Sequence, residues 1–308
     1  MSATRRARPL LGTLVEISVD TARRPPATQR AIDRAFAEIE RVHILMNYHD
    51  PGSEISRINR EAHAHAVTVS EDTWGVLAAA RRMSAFSAGL FDVTVAPLLA
   101  DAGFVSHDGS DTDALRGACW RDVELLSDRR VCLRRPLRID LSGIAKGYAV
   151  DLAVESLERD GIRAGHVNAG GDLRFFGDLP SAVHIRHPQR PTALIPILSC
   201  HSAVATSAGY YRRRICAGRE VCAVAHPQRG TLCDATRSVT VFADDCMTAD
   251  ALTKVIHADP ARGRHLLRWR RARAVIIDAD PRTGECRLYD SASQFDVAAT
   301  STRRASGA

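Results

Sequence analysis

The segment Asp140-Leu141-Ser142-Gly143-Ile144-Ala145-Lys146-Gly147-Tyr148 holds residue types suited to a phosphate-bearing ligand. An apolar lead-in through Leu137 and Ile139 reads as a strand, followed by a turn of small residues and then a helix. Backbone N–H groups at a helix start attract phosphate. Gly143 and Gly147 let the main chain approach a ligand closely, Lys146 supplies a point charge, and Asp140 accepts hydrogen bonds from a base or sugar. The spacing fits a plain strand-to-helix corner equally well. Asn168-Ala169-Gly170-Gly171-Asp172 is a second small-residue corner. Its paired glycines imply close approach of backbone or ligand, though a tight turn alone explains them. In Ala249-Asp250-Ala251-Leu252-Thr253-Lys254, helical spacing puts Asp250 on one face with the residues three and four further on. Oxygens so arranged can hold a hard cation such as Mg²⁺. A helix cap at Thr248 or Asp250 is the simpler account. Within Leu90-Phe91-Asp92-Val93-Thr94, Phe91 and Val93 read as core, and Tyr48 or His49 can stack on a flat ring.

These residues need elements to hold them. Leu14 to Val19 reads as a strand, with Val15, Ile17 and Val19 on one face. A 3.6-residue apolar stripe predicts a helix from Thr28 to Met46. Ser53 to Ser56 opens a short helical turn, and Ser70 caps a longer helix reaching Ser87. Two short strands are expected between Trp120 and Arg138, around Ser127-Asp128-Arg129. Gly143 to Arg159 reads as a helix and Gly165 to Asn168 as a strand. Further strands are expected at Ala182–Ile185, Ser202–Thr206, Val221–Ala225 and Ser238–Phe242, and a helix at Ala249–His257. A hairpin, Ala274–Asp278 with Cys286–Tyr289, follows. Without regular alternation of strand and helix, the pattern points to an α+β fold and not to a doubly wound sheet. Residues 1–299 read as a single domain and 300–308 as a disordered tail.

Composition narrows the function classes. At 45% hydrophobic and 25% charged, the chain has the make-up of a soluble globular protein with a sizeable core. The net charge of +6 suits an anionic ligand. Arg212-Arg213-Arg214 reads as a solvated run, and no named nucleic-acid module appears. The eight cysteines form no CxxC pair, which argues against a zinc site. The N-terminus lacks an apolar signal region and no stretch approaches a membrane span, so a cytoplasmic protein is expected. GxGxxG, GxxxxGK[ST] and GxSxG are all absent.

Taken in order, Leu11-Gly12-Thr13, His49 to Asn59 (HDPGSEISRIN), Phe91 to Leu98 (FDVTVAPL), Asp140 to Asp151 (DLSGIAKGYAVD), Val167 to Asp172 (VNAGGD), Ala205 to Tyr210 (ATSAGY) and Ala249 to Leu252 (ADAL) resemble the ApbE family, the FAD:protein FMN transferases. Each segment alone is unspecific; the ordered set, spanning nearly the whole chain, is specific. The resemblance implies an α+β fold of mostly antiparallel strands with packed helices. It also implies Mg²⁺-dependent transfer of FMN from FAD to a Thr or Ser hydroxyl of an acceptor flavoprotein, with release of AMP. Carried over by motif, Leu11, His49, Leu90, Phe91, Asp92, Asp140 and Lys146 contact FAD. Gly143, through its carbonyl, and Asp250 hold Mg²⁺.

Three positions depart from the family pattern. Leu11 stands where Met is common. Lys254 stands where a Thr usually follows the metal-binding Asp; either Lys254 binds phosphate directly or Thr253 takes over as the oxygen ligand. Ala223 stands where a His is common, with His226 three residues on as the remaining acid–base candidate. An FAD pyrophosphatase and a non-catalytic FAD carrier are the alternative readings.

Overall fold

Val15, Ile17 and Val19 alternate along their strand and are fully shielded from solvent, as a half-buried strand requires. In the computed structural model this strand belongs to a large sheet. The structure describes residues 2–21, 25–106, 115, 117–177, 181–188, 192–199, 202–209, 212–280, 286–292 and 296–299.

The helices are α1 (Pro25–Met46), α2 (Glu54–Glu61), α3 (Glu71–Phe86), α4 (Ala96–Asp101), α5 (Ala145–Arg159), α6 (Cys246–Ala258) and α7 (Pro260–Leu267). The strands are β1 (Ser2–Leu10), β2 (Thr13–Thr21), β3 (Val67–Thr68), β4 (Val123–Leu126), β5 (Arg130–Leu133), β6 (Gly165–Ala169), β7 (Asp172–Phe176), β8 (Ser181–Arg186) and β9 (Leu194–Ser199). They continue as β10 (Ala203–Ala208), β11 (Arg213–Cys216), β12 (Arg219–His226), β13 (Thr231–Asp234), β14 (Arg237–Ala243), β15 (Arg273–Ala279), β16 (Cys286–Asp290) and β17 (Asp296–Ala299).

Nine strands form one sheet in the order β1-β2-β6-β7-β10-β14-β15-β16-β17, and every neighbouring pair is antiparallel. This is the expected α+β architecture. Side-chain alternation sorts the sheet's two faces. Val167, Ala205, Val239, Val241 and Ile276 bury against the helical layer of α1, α5 and α6. Val204, Phe242, Val275 and Ile277 face the other way, against Val183 and Ile185 of the β8–β9 hairpin.

Most expected elements appear, some with longer bounds. Ser70 caps α3 by accepting from the Thr73 N–H. α6 begins at Cys246, three residues before the expected Ala249. Its cap is Asp245, which accepts from the Thr248 N–H at 2.7 Å, and neither Thr248 nor Asp250 serves as the cap. β1 is absent from the sequence reading, because its arginines hide any apolar alternation. It is one of the sheet's two edge strands, where charged side chains are common. Arg6 and Arg8 both reach Asp33 of α1, and Arg8 lies over the Phe36 ring. The turn expected around residues 280–284 lies largely outside the described residues, as does the tail at 300–308. Among the described residues, no helix is long and apolar enough to cross a membrane.

Candidate functional site

Two helices meet backbone to backbone to make the site. A Cβ on Gly147 would lie 2.3 Å from the Cys246 carbonyl oxygen and 2.7 Å from Met247 Cα. Only glycine permits this crossing of α5 with the start of α6. The close approach is thus to another helix, where the sequence suggested a ligand. Asp151, one turn further along α5, accepts from the N–H groups of Cys246 and Met247, both at 2.9 Å, and from Arg174 at 2.8 Å. It therefore satisfies two donors at the N-terminus of α6 that α6 itself cannot. Burial pushes the Asp151 carboxyl up to about 6, with Arg174 and the two N–H donors acting against it.

The crossing brings four charges together. Asp250, in the first turns of α6, is wholly buried. Its Oδ1 is ion-paired with Lys254, one turn along the same helix. Its Oδ2 accepts from the Gly147 N–H at 3.3 Å and lies 3.5 Å from Lys146 Nζ. Lys146 also pairs with Asp172, at the start of β7. Burial alone would push Asp250 up, but Lys146 and Lys254 outweigh it and hold the carboxyl below its usual range. Burial likewise opposes the charge on Lys146, and Asp172 and Asp250 more than reverse it, so the ammonium stays protonated. Asp172 is pushed up by burial and by the neighbouring Asp250 carboxylate. The tight β6–β7 turn delivers Asp172. Gly170 and Gly171 have φ of +66° and +108°, and Asn168 Oδ1 accepts from the Gly171 N–H.

Two cavities flank the cluster and share Asp140 and Ser142. One is a cleft lined by Leu90, Phe91, Asp92, Gly143, Ala223 and Lys254. The other, of about 360 Å³, is lined by Leu11, Met46, Tyr48, His49, Lys146 and Arg212. Leu11 and Gly12 form the two-residue β1–β2 turn with φ of +55° and +69°. Leucine is held there in the left-handed region, at a local cost of about 1–2 kcal/mol. His49 Nδ1 lies 3.0 Å from Ser106 Oγ, with its ring edge-on to Tyr48.

Asp140 is positioned from both sides. Its N–H donates to the Val93 carbonyl at 2.8 Å, and its carboxylate accepts from the Ser142 N–H and hydroxyl, both at 2.8 Å. The preceding Ile139 exchanges two hydrogen bonds with the Asn59 side chain, at 2.7 and 3.0 Å. Asp92 spends its oxygens on Thr94 and on the Trp120 N–H. Its carboxyl is raised by burial, against those donors. Asp92 therefore organises the cleft wall. Sequence alone assigns no role to Asn59 or Asp151. Both end recognisable motifs, but their function is to hold other segments, which a linear pattern does not reveal.

The expected FAD-contacting residues Leu11, His49, Leu90, Phe91, Asp92, Asp140 and Lys146 thus all line one or other of these two adjoining cavities. His226 does not line either cavity. The ladder of β12 is irregular between Val221 and Ala225, and the charged groups that act on His226 are Arg229, Asp259 and Arg262. Burial, reinforced by Arg229, lowers its pKa, and its Nδ1 has no partner among the described residues.

Two of the expected Mg²⁺ ligands, Asp250 and Thr253, are already engaged by other partners. Both Asp250 oxygens are engaged by ammonium or N–H groups. The Thr253 hydroxyl is wholly buried, donating to the Asp250 carbonyl and bonded to Ser207, both at 2.7 Å. The Lys254 stem lies over Gly143, where a Cβ would sit 3.4 Å from its Cε. Among the described residues, no group of three His, Cys, Asp or Glu side chains is placed to hold a metal ion.

The sequence profile of the ApbE family matches residues 11–277. The chain is 31% identical to the FAD:protein FMN transferase of Vibrio cholerae over 240 residues, covering 73% of this chain and 71% of that protein. It is 28% identical to the Klebsiella pneumoniae FAD:protein FMN transferase over 234 residues, covering 72% and 73%. The fold is similar to the crystal structure of the ApbE protein of Thermotoga maritima, with a TM-score of 0.80 and 26% identity, covering 92% of this chain and 96% of that one. It is also similar to the flavin transferase ApbE of Vibrio cholerae, with a TM-score of 0.77 and 25% identity, covering 95% and 98%. With the profile matched over most of its length and the fold shared over nearly all of it, the chain belongs to the ApbE family.

Proposed function

We propose that the chain is an FAD:protein FMN transferase. One observation carries this reading: an apolar and aromatic cavity that holds Lys146 shares Asp140 and Ser142 with a cleft that holds Lys254, so a place for a flat ring adjoins two fixed ammonium groups. FAD has the matching halves, a flavin ring and a pyrophosphate. Leu11, Met46 and Tyr48 form an apolar wall for the ring, and the Tyr48–His49 pair presents aromatic surface beside it. Lys146 and Lys254 place positive charge where the phosphates would lie, which favours charge building up in a phosphoryl-type transition state.

In the transfer, an acceptor Ser or Thr oxygen forms a bond to the FMN-side phosphorus. The bond from that phosphorus to the bridging oxygen breaks, AMP leaves with the bridging oxygen, and the hydroxyl proton is released. The chain's part is to bind FAD, orient its pyrophosphate and admit the hydroxyl in line. His226 follows Val224 and Ala225, which line the cleft, but does not line it itself, and the transfer as written assigns it no step. The resemblance also implies Mg²⁺, which would supply further neutralisation of the pyrophosphate. Both Asp250 oxygens and the Thr253 hydroxyl already have partners, and the transfer as written does not depend on the metal.

The test is incubation with FAD and a flavoprotein acceptor carrying the target Ser or Thr. Intact mass should show covalent FMN on the acceptor, with one AMP released per transfer. AMP release at the same rate without acceptor would instead indicate hydrolysis. Bound FAD with neither product would overturn the transferase reading.

A further inference from the structure

Lys254 lies between the buried Asp250 carboxylate and the cleft. It lines the cleft with Asp140, Ser142 and Gly143. Its i,i+4 position on α6 points its ammonium onto Asp250 Oδ1. Its aliphatic stem fills the space over Gly143, where a methyl on that glycine would lie only 3.4 Å from Cε and 3.6 Å from Cγ. Its side chain is 20% exposed, so it reaches the cleft while Asp250 beneath it is wholly buried. The neighbouring hydroxyl on the same helix, Thr253, is turned away into the core.

The cluster contains the ammonium groups of Lys146 and Lys254 and the carboxylates of Asp172 and Asp250, and these four charges cancel before FAD arrives. A dication on Asp250 Oδ1 would require Lys254 to leave it. An ammonium is a compact point charge with three donors. One donor spent on Asp250 leaves two for phosphate oxygens, as in other lysine–phosphate contacts.

We propose that the Lys254 ammonium takes the position of a divalent cation between Asp250 and the FAD pyrophosphate, so that this chain binds FAD without a metal. This rests on the reading of the two adjoining cavities as an FAD site. Lys254 is thereby a direct substrate-binding group, and Asp250 its anchor.

The experiment is FAD titration of the chelator-stripped protein by flavin fluorescence, in EDTA and in excess Mg²⁺, with Mn²⁺ uptake followed by electron paramagnetic resonance. For the native chain the FAD dissociation constant should agree within about twofold between the two conditions. The Mn²⁺ signal should match that of a solution containing the same free FAD. K254T, which removes the ammonium and frees Asp250, should take up one Mn²⁺ per chain with FAD and bind FAD at least about tenfold tighter in Mg²⁺ than in EDTA. K254M, which keeps the stem and loses the charge, should weaken FAD at least about tenfold in EDTA. Uptake of one Mn²⁺ by the native chain in its FAD complex, with FAD tightened about tenfold by Mg²⁺, would overturn the proposal and leave the FAD reading intact. That measurement needs no variant, so misfolding of K254T or K254M does not remove the test. Failure to bind FAD under any condition would overturn both.

Discussion

Lys146 is the hinge of the charge cluster, since it pairs with both Asp172 and Asp250. Replacing it with Met leaves two buried carboxylates to share Lys254. Truncating one partner of a buried pair costs about 3–5 kcal/mol; the 30% exposure of Lys146 reduces this to about 2 kcal/mol. K146M should therefore unfold at lower urea, with a deficit that shrinks as acid neutralises the carboxylates. A urea midpoint equal to that of the native chain at neutral pH would show that the pairing is not energetically coupled. Leu11 makes the opposite case, a strained residue on the wall of the proposed ring cavity. L11N should hold the left-handed turn more comfortably, because Asn tolerates positive φ, and so keep stability within about 1 kcal/mol. It should weaken FAD binding by removing an apolar wall. Lower thermal stability with unchanged FAD affinity would place the role of Leu11 in packing alone. Residue types such as Asp140, Lys146 and Asp250 were legible in sequence because phosphate chemistry needs them. Their partners were not, because 104 residues separate Lys146 from Asp250 and no local period records that contact.

At the scale of elements, the alternation of Val15, Ile17 and Val19, the stripe of α1 and the Ser70 cap were all readable, because each is enforced by local geometry. What stayed hidden was set by tertiary contact. β1 carries Arg5, Arg6 and Arg8 and reads as polar, yet it pairs along its whole length with β2. The start of α6 is fixed by Asp245 and by Asp151 from a different helix, so the apolar pattern alone placed it three residues late. The α5–α6 crossing gives a direct test. G147A puts a methyl into the Cys246 carbonyl, and flexible side chains cannot absorb the overlap. Overpacking of this kind costs about 1–3 kcal/mol. Because the same shift moves Asp250 and Lys254 away from Gly143, FAD affinity should fall together with stability. Normal FAD binding in a destabilised G147A chain would show that the crossing supports the fold without setting the site.

The whole molecule is tied together near the C-terminal end of α6, where helical layer, main sheet and the small β11-β12-β13 sheet converge on His257. Its ring is buried, with Nε2 3.7 Å from Cys222 Sγ on β12 and Nδ1 unpartnered among the described residues. Arg237 of β14 donates to the His257 carbonyl and pairs with Asp278 of β15. Burial, reinforced by Arg237, lowers the imidazole to about 4, against an ordinary value of 6.5. The folded state therefore keeps His257 neutral where the unfolded chain takes up a proton. Stability from this site is complete above pH 6.5 and is lost as pH falls toward 4, by about 3 kcal/mol at the limit. Other carboxylates also contribute to acid unfolding, so the readout is a difference. Urea unfolding of the native chain and H257L should be compared at several values between about pH 7.5 and 4.5. Leu fills a similar volume and cannot titrate, so the gap between the two curves should shift steadily in favour of H257L as pH falls. Parallel curves across that range would mean that His257 is accessible to protons in the folded state, and that the three layers open around it before the chain unfolds.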